Sequence, residues 1–593
     1  MGVIKIAILD TGVNANHKEF INTKLNGYAL YVNLNGEVEK RNEFHDELGH
    51  GTAVFYLINK FSKNAEITNI KIFHGKTANI SQADFEKILI YIYENYKYDI
   101  INISMGIVNC STTNRMQEIC NLFRKNNTII ISAFDNDCAI SFPASLNNVI
   151  GVDSTNEIEN PLDYIVNNDC IVNVTCREKY VKVAWVNPDY NIVKGNSFNC
   201  SFITSSVCNM LHDNDLDDVW DYFYKKQNQS KITTRKLDFK IYNAITFPFN
   251  KEIHVLATYE NLLPFKIVGY YSAAITGHVG RSINSILNHG NNNSIVKDIK
   301  NIDWESFDTL ILGHLDQLNS IAKKDYTKYL VDNACRYGKN IYLFDKLDTK
   351  IPEIYNKKIY IPKTDFTNII KRKGKLFKTN IPIICVIGTN SKQGKYSLQL
   401  YLRNKLLEIG YKVGQLGTEP TSLLFGMDEM FHCGYNQEIN LSVDDTYLLI
   451  NQMIWNITNK NPEVIIAGCQ SGLLSYNDNN IKFFPTMHRI VFEALQPDVV
   501  ILCINPFDDI EYVNRVIKTA EGISEGKVLG AVCYPIDYSD NWKGKFGKRA
   551  RISKEKELFL KDVYKEKLNL KLYMLDKEEE LDHLIFETLN YLS

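Results

Sequence analysis

Short apolar runs recur along the chain, and helically spaced stretches separate them. VIKIAIL (3–9), DIINISM (99–105) and TIIISA (128–133) are rich in Ile and bounded by turn residues, the pattern of buried strands. ADFEKILIYIYENY (83–96) and MQEICNLFRKN (116–126) lie between them with apolar residues three and four apart, as on one helix face. This alternation predicts an α/β unit with a parallel sheet over residues 1–211. Residues 212–249 are polar, charged and aromatic and read as a linker with one short helix. The α/β texture returns in KIVGYYSA, DTLILGHL and NIYLFDK, which predict a second unit over 250–376. PIICVIG, EVIIAG and DVVILCI predict a third over 377–593. The chain shows no internal repeat of 20–50 residues.

With 593 residues, 45% hydrophobic and 23% charged, the chain has ordinary globular usage, and each unit is long enough to bury a core. Lys plus Arg is 67 and Asp plus Glu is 69, so a partner role coating nucleic acid is not expected. No run of about 18 apolar residues occurs, so no membrane partner is expected. MGVIKIAILDTG reads as a first strand, not a signal peptide. The 13 Cys are an odd number with no CxxC pair, which argues against a disulfide framework or a structural zinc and for reduced thiols in a cytoplasm.

Four polar residues in the first unit stand where chemistry can be done. Asp10 ends an apolar strand. His50 lies in Gly49-His50-Gly51-Thr52 before the helical run AVFYLINKF. Asn136 follows the strand TIIISA, and Ser197 lies in Gly195-Asn196-Ser197 before another helical run. An imidazole can take the Ser proton, and a carboxylate can hold that imidazole in one tautomer and stabilise its cation. An Asn amide at a neighbouring strand end can donate to a developing oxyanion.

In this order and setting the motifs resemble those of the subtilisin-like serine proteases. ILDTGVNANHKEF is similar to that family's Asp motif, with a trailing His17, HGTAV to its His motif, and GNSFNCSF to its Ser motif. SAFDND followed by SFPA resembles its oxyanion segment. Ser104-Met105-Gly106 in IINISMG resembles the strand lining its specificity pocket. The resemblance covers about the first 210 residues. It implies a serine endopeptidase with Asp10, His50, Ser197 and Asn136 as catalytic groups, substrate bound along Ser104, Met105 and Gly106, and no cofactor for cleavage. The chain departs from the family's pattern at Asn196, Phe198-Asn199 and Ser201, and at Phe134-Asp135 before the oxyanion Asn. A carboxylate at Asp135 is expected to oppose negative charge beside it.

The third unit opens on a strand followed by Gly388-Thr389-Asn390-Ser391-Lys392-Gln393-Gly394-Lys395-Tyr396-Ser397 and then a helical run. A strand, a glycine loop, a Lys and a helix start are the parts of a phosphate cradle. Five residues separate Gly388 from Gly394, one more than the usual spacing, and Ser397 lies one place beyond the usual hydroxyl. GTNSKQGK resembles the loop of dethiobiotin-synthetase-like P-loop proteins. Together with GQLGTE, FGMDE (Asp428) and AGCQSGLLS (Gln470), it resembles an uncharacterised P-loop family that carries a Rossmann-like domain ahead of the P-loop. A related form resembles a component of clostridial peptide-maturation gene clusters. The cradle chemistry leads to the expectation of ATP or GTP with Mg²⁺, bound through Gly388, Gly394, Lys395, Ser397 and Asp428, with Glu419 a further candidate carboxylate, while the resemblance does not define a substrate.

Other signals read as ordinary structure. Gly277-His278-Val279-Gly280 reads as a turn, and His45-Asp46 as a solvated loop. Lys543–Lys571, with 11 basic and 4 acidic residues, reads as a solvated helix face. The expectation is a cytoplasmic α/β fusion protein that cleaves a peptide or precursor-protein substrate in peptide maturation and binds a nucleotide. The alternative is a subtilase-like domain that holds a peptide without cutting it, beside an ATP-dependent ligase, transferase or nucleotide switch.

Overall fold

The computed structural model describes the chain apart from residues 1, 76–78, 110–112, 157, 159–163, 168–169, 225–236, 288–291, 346, 348–356, 363–372, 432–440, 471, 476–478, 480–483 and 538–549. It forms two compact units: residues 1–231 with 368–380, and residues 232–367 with 381–593. No described helix is long and apolar enough to cross a membrane. Every described cysteine is a free thiol.

In the first unit the strands are β1 (Ile4–Asp10), β2 (Asn26–Val32), β3 (Val38–Arg41), β4 (Ala65–Lys71), β5 (Ile100–Ile103), β6 (Ile129–Ala133), β7 (Ile150–Thr155), β8 (Tyr164–Val166) and β9 (Val174–Arg177). They make a nine-stranded sheet in the order β3-β2-β4-β1-β5-β6-β7-β9-β8. It is parallel except at the β2–β3 and β8–β9 edges. β10 (Val181–Ala184) and β11 (Tyr190–Val193) form a separate antiparallel pair. β1 is central because helices cover both its faces, so Ile6–Leu9 are apolar throughout. Its register, Asp10 opposite Lys71 and Leu9 opposite Ile103, puts Asp10 at the carboxyl edge of the sheet. The helices His50–Phe61 and Asn196–Met210 pack on that sheet through Val54, Ile58, Cys200, Ile203 and Val207, so both begin near the same edge.

The predicted linker is corrected in part. Its short helix, Leu216–Phe223, buries Val219, Trp220 and Phe223 in the core of the first unit. Asp215 caps that helix by accepting from the Asp218 amide. The polar HDND is therefore a turn and cap, and apolar residues three and four apart form one buried face. Residues 225–236 of the predicted linker lie outside the described residues, and its last part contains the strand Asn243–Phe247.

In the second unit, β12 (Asn243–Phe247), β13 (Lys266–Ser272), β14 (Lys297–Asp298), β15 (Thr309–Leu312), β16 (Asn340–Leu343) and β17 (Ile359–Tyr360) form a parallel sheet in the order β14-β13-β12-β15-β16-β17. The Rossmann-like sheet thus begins before residue 250, because NAITF pairs between KIVGYYS and TLIL. The second sheet contains β18 (Ile383–Gly388), β19 (Val413–Gly417), β20 (Glu429–Met430), β21 (Val464–Gly468), β22 (Val499–Ile504) and β23 (Lys527–Cys533), with β24 (Ile536–Asp537) and β25 (Ala550–Arg551) a side pair and β26 (Lys571–Met574) its last strand. Its order is β20-β19-β21-β18-β22-β23-β26. Ala244, Phe249 and Tyr270 of one layer share an apolar cluster with Leu400, Leu424 and Phe425 of the other. Part of the basic segment, 543–549, lies outside the described residues. The remainder includes the helix Lys554–Leu568, whose buried Glu557 pairs with Arg551, Lys561 and Lys577.

Candidate active site

Asp10 leaves the end of β1 with its side chain 4% exposed and accepts the Thr11 N–H at 2.8 Å. His50 opens its helix and brings Nδ1 to 2.8 and 3.0 Å from the two Asp10 oxygens. A carboxylate can only accept, so Nδ1 carries the proton and Nε2 keeps a lone pair. Burial works against the His50 cation, but the Asp10 charge and hydrogen bond, with Asp46 adding to them, hold its pKa above the ordinary histidine value. The approach of the two elements is close. A side chain at Gly51 would start 2.2 Å from the Gly12 carbonyl oxygen, so only glycine fits.

Ser197 is the second residue of its helix. Its Oγ donates to the Ser104 carbonyl at 2.6 Å; among the described residues it makes no hydrogen bond to His50. Asn136 Oδ1 accepts the Asn196 N–H at 2.9 Å. That bond assigns the oxygen side of the amide. Gly195, at φ +133°, would place a Cβ 3.1 Å from Asn136 Oδ1, so this glycine lets the chain enter the Ser197 helix beside the Asn136 amide. Among the described residues, neither Asn136 Nδ2 nor the Ser197 N–H has a hydrogen-bond partner. Free N–H groups at a helix start are suited to an anion.

Ser104, Met105 and Gly106 continue from the end of β5. The Ser104 hydroxyl donates to Asn102 at 2.7 Å, and Ile107 pairs with Phe142 as an antiparallel bridge. A side chain at Gly106 would collide with Ser141. Ser104–Gly106 is therefore seated against the residues that follow Asn136. His17 is structural: Nε2 donates to the Asp189 carbonyl at 2.7 Å, and Nδ1 caps a short helix by accepting the Glu19 N–H.

One sequence expectation changes here. Asp46 is fully buried, not solvated. It accepts from Thr11 Oγ1, the Leu48, Gly49 and Thr52 amides and Thr52 Oγ1, and so shapes the turn into His50. The signal was the Asp at the head of the turn into a helix start, a setting in which carboxylates cap backbone amides. The Asp135 carboxylate accepts the Asp137 N–H at 2.8 Å. Asn196, which the motif reading left without a role, donates to the Phe134 and Asp135 carbonyls and to Asp153, and accepts from Ser154.

At the second sheet, the loop after β18 leads into the helix Lys395–Glu408 with Gly394 in the left-handed region at φ +75°. Lys395 Nζ donates to the Asn390 carbonyl at 2.6 Å, and burial lowers its pKa from the ordinary lysine value. Thr389, Gln393 and Asp508 are joined by hydrogen bonds at the base of the loop. Burial raises the Asp508 pKa despite these donors. Gln470 bonds Thr418 and Glu419 just beyond the ends of β21 and β19, on the carboxyl edge that carries the loop. The structure does not bring the other two predicted ligands there. Asp428 accepts from the Gln415 N–H and pairs with Lys460, both at 2.8–2.9 Å. It lies at edge strand β20, three strand spacings or about 14 Å across the sheet from β18. Ser397 lines a cavity of about 1140 Å³ with Tyr259, Tyr401 and Leu575. The remaining groups fit a phosphate cradle better than a Mg²⁺ site. Among the described residues, no group of three or more His, Cys, Asp or Glu could hold a metal.

The first unit thus has the parallel-sheet fold of a subtilase-like domain, and the second unit contains a P-loop domain. Residues 2–262 match the family model of the subtilases (Peptidase_S8), and residues 370–532 match a P-loop domain of unknown function, DUF1611. The subtilase match runs past 231 and over β12, a strand that pairs within the second unit. Among solved structures, the chain is similar to the prenylagaramide maturation protease PagA, at 21% identity over 36% of this chain and 76% of that one, with TM-score 0.28. It is also similar to the epidermin leader peptide processing serine protease EpiP from Staphylococcus aureus, at 18% identity over 37% and 68%, TM-score 0.29. A DUF1611 family protein from Anabaena variabilis is similar at 15% identity over 59% of this chain and 100% of that one, TM-score 0.43. No curated protein matches the chain.

Proposed function

We propose that the first unit is a serine endopeptidase acting on a peptide or precursor protein, with Ser197 as nucleophile, His50 as general base and Asp10 as the carboxylate that orients it. The observation that carries this reading is the pair of donors without a partner among the described residues, Asn136 Nδ2 and the Ser197 N–H, on a helix start whose Phe198 ring lies 5.3 Å from the ring of His50, itself tied to the buried Asp10 carboxylate. In the proposed step, the Ser197 hydroxyl leaves the Ser104 carbonyl by a side-chain rotation and gives its proton to His50 Nε2. Its oxygen then attacks the scissile carbonyl carbon. The resulting oxyanion meets the two donors, the C–N bond breaks as His50 returns the proton to the leaving amine, and a water deprotonated by His50 then hydrolyses the acyl-Ser197 ester and restores the hydroxyl. Ser104–Gly106 holds the substrate backbone. Maturation of a precursor peptide is the role that this chemistry and the likeness to maturation and leader-processing proteases support.

The phosphate loop would hold a nucleotide through its backbone N–H groups and Lys395, with Glu419 and Gln470 at its rim. Such a nucleotide would supply a charged phosphate ligand, and no step of the peptide cleavage is routed through it. The Ser197–Ser104 hydrogen bond favours a second reading, in which the domain captures a peptide without cutting it. A fluorophosphonate probe separates the two. The full-length protein is expected to be labelled at Ser197, and Ser197→Ala to be unlabelled. An unlabelled parent protein, or equal labelling of Ser197→Ala, refutes the protease reading.

A further inference from the structure

The segment 368–380 belongs to the first unit although it follows most of the Rossmann-like sheet in sequence. Its described part docks beside Asn136. Leu376 bridges Ala139 in parallel, and the Ile140 N–H donates to the Leu376 carbonyl at 2.9 Å. Lys373 donates to Thr175 Oγ1. Between these contacts the Lys375 side chain is 3% exposed. Its ammonium lies 3.2 Å from Asp153 Oδ1 and donates to the Asp135 carbonyl at 3.2 Å, 240 residues away in sequence. It also lies 5.4 Å from the centre of the Phe134 ring.

These partners are the ones that fix the catalytic backbone. Asp153 Oδ1 also accepts Asn196 Nδ2 at 2.9 Å, and the same Nδ2 donates to the Phe134 and Asp135 carbonyls. The Asn196 N–H then sets the Asn136 amide, and the next residue is Ser197. Phe134 and Asp135 are the two positions where the chain departs from the pattern before the oxyanion Asn. Lys375 meets both, one through its ring and one through its carbonyl. A buried ammonium held this way is costly to leave unpaired, and so is Asp153 without it.

We propose that Lys375 is a positioning residue of the peptidase: delivered from beyond the subtilisin-like region, it locks Asp153, Asn196 and the Asp135 carbonyl so that Asn136 and Ser197 hold the oxyanion geometry. The oxyanion site is incomplete without this late segment. The proposal rests on the protease reading above for its activity readout but not for its structural one.

The test uses full-length protein and a fluorescent fluorophosphonate. Lys375→Met is expected to slow labelling of Ser197 by about 10- to 100-fold, because small displacements of catalytic groups cost rates of that order. Lys375→Arg, which keeps the cation, should recover most of the rate. In an Asn136→Ala background, Lys375→Met should add less than about a further 2-fold, since residues acting as one unit are not additive. A merely structural role would instead multiply the two losses and lower the melting temperature without rescue by Arg. Hydrogen–deuterium exchange over 134–137 and 195–199 reads the same coupling without any labelling. It should quicken in Lys375→Met and stay as in the parent in Lys375→Arg. Parent-like exchange in Lys375→Met, parent-like labelling, or multiplicative losses would each overturn the proposal. A parent protein that is never labelled yet shows the exchange effect would sink the protease reading while sustaining the coupling.

Discussion

Replacing Asp10 with Asn is the sharpest probe of the proposed chemistry. The side chain keeps its size, and its Oδ1 can still accept the Thr11 N–H at 2.8 Å. The amide nitrogen is then turned toward His50 Nδ1, where a carboxylate oxygen now sits 3.0 Å away. Oδ1 stays 2.8 Å from Nδ1, but the NH₂ beside it can only donate and opposes an Nδ1–H, so the neutral ring shifts toward the tautomer with its proton on Nε2. The nitrogen facing the serine then has no lone pair for its proton. The wrong tautomer, together with the lost charge, is expected to cut acylation by about 10³- to 10⁴-fold, or roughly 4–5.5 kcal/mol of barrier. The assay is the second-order rate of Ser197 labelling between pH 5 and 9, with circular dichroism as a fold control. For the parent protein, the rate should rise with pH through a midpoint above the ordinary histidine value, because the base must be neutral and Asp10 holds the proton on. In Asp10→Asn that midpoint should move down. A loss under tenfold with an unmoved midpoint would refute the Asp10–His50 assignment.

Two further outcomes follow from the buried polar groups. Asp46→Ala removes the acceptor for Thr11, Gly49 and Thr52 donors in a fully buried turn and is expected to cost about 3 kcal/mol of stability by chemical denaturation, with labelling also slowed. A change under about 1 kcal/mol would show that the turn holds itself. Lys395→Ala should weaken ATP or GTP binding at least tenfold by calorimetry, with and without Mg²⁺. If the parent binds neither nucleotide, the phosphate-cradle reading fails.

The His50 interaction also sets a stability window. Because its folded pKa is raised, the imidazolium–carboxylate contribution is fully present below the unfolded histidine value and is lost as pH rises through the folded one. Stability from this pair therefore falls over the same range in which the proposed base becomes active. The histidine is 31% exposed, so solvent screening reduces the effect.

What could be read from the chain alone was local. Asp10 at a strand end, His50 and Ser197 at glycine-preceded helix starts, and the glycine loop before Lys395 are each set by a few neighbouring residues. Turn, cap and strand preferences act over that range, so the order of sheet and helix elements was legible too. The partners that complete those positions were not. Trp220 looked like part of a linker because its burial depends on which face the folded sheet offers it. Asp428 and Ser397 looked like ligands because their motifs are near the loop in sequence, yet strand order carries one to the sheet edge and packing places the other on a cavity lined by Tyr259 and Tyr401. Lys375 arrives beside Asp135 from 240 residues away. No local preference encodes such a meeting. It is decided when apolar surfaces choose their neighbours and a buried charge must then find an opposite charge and a carbonyl within reach.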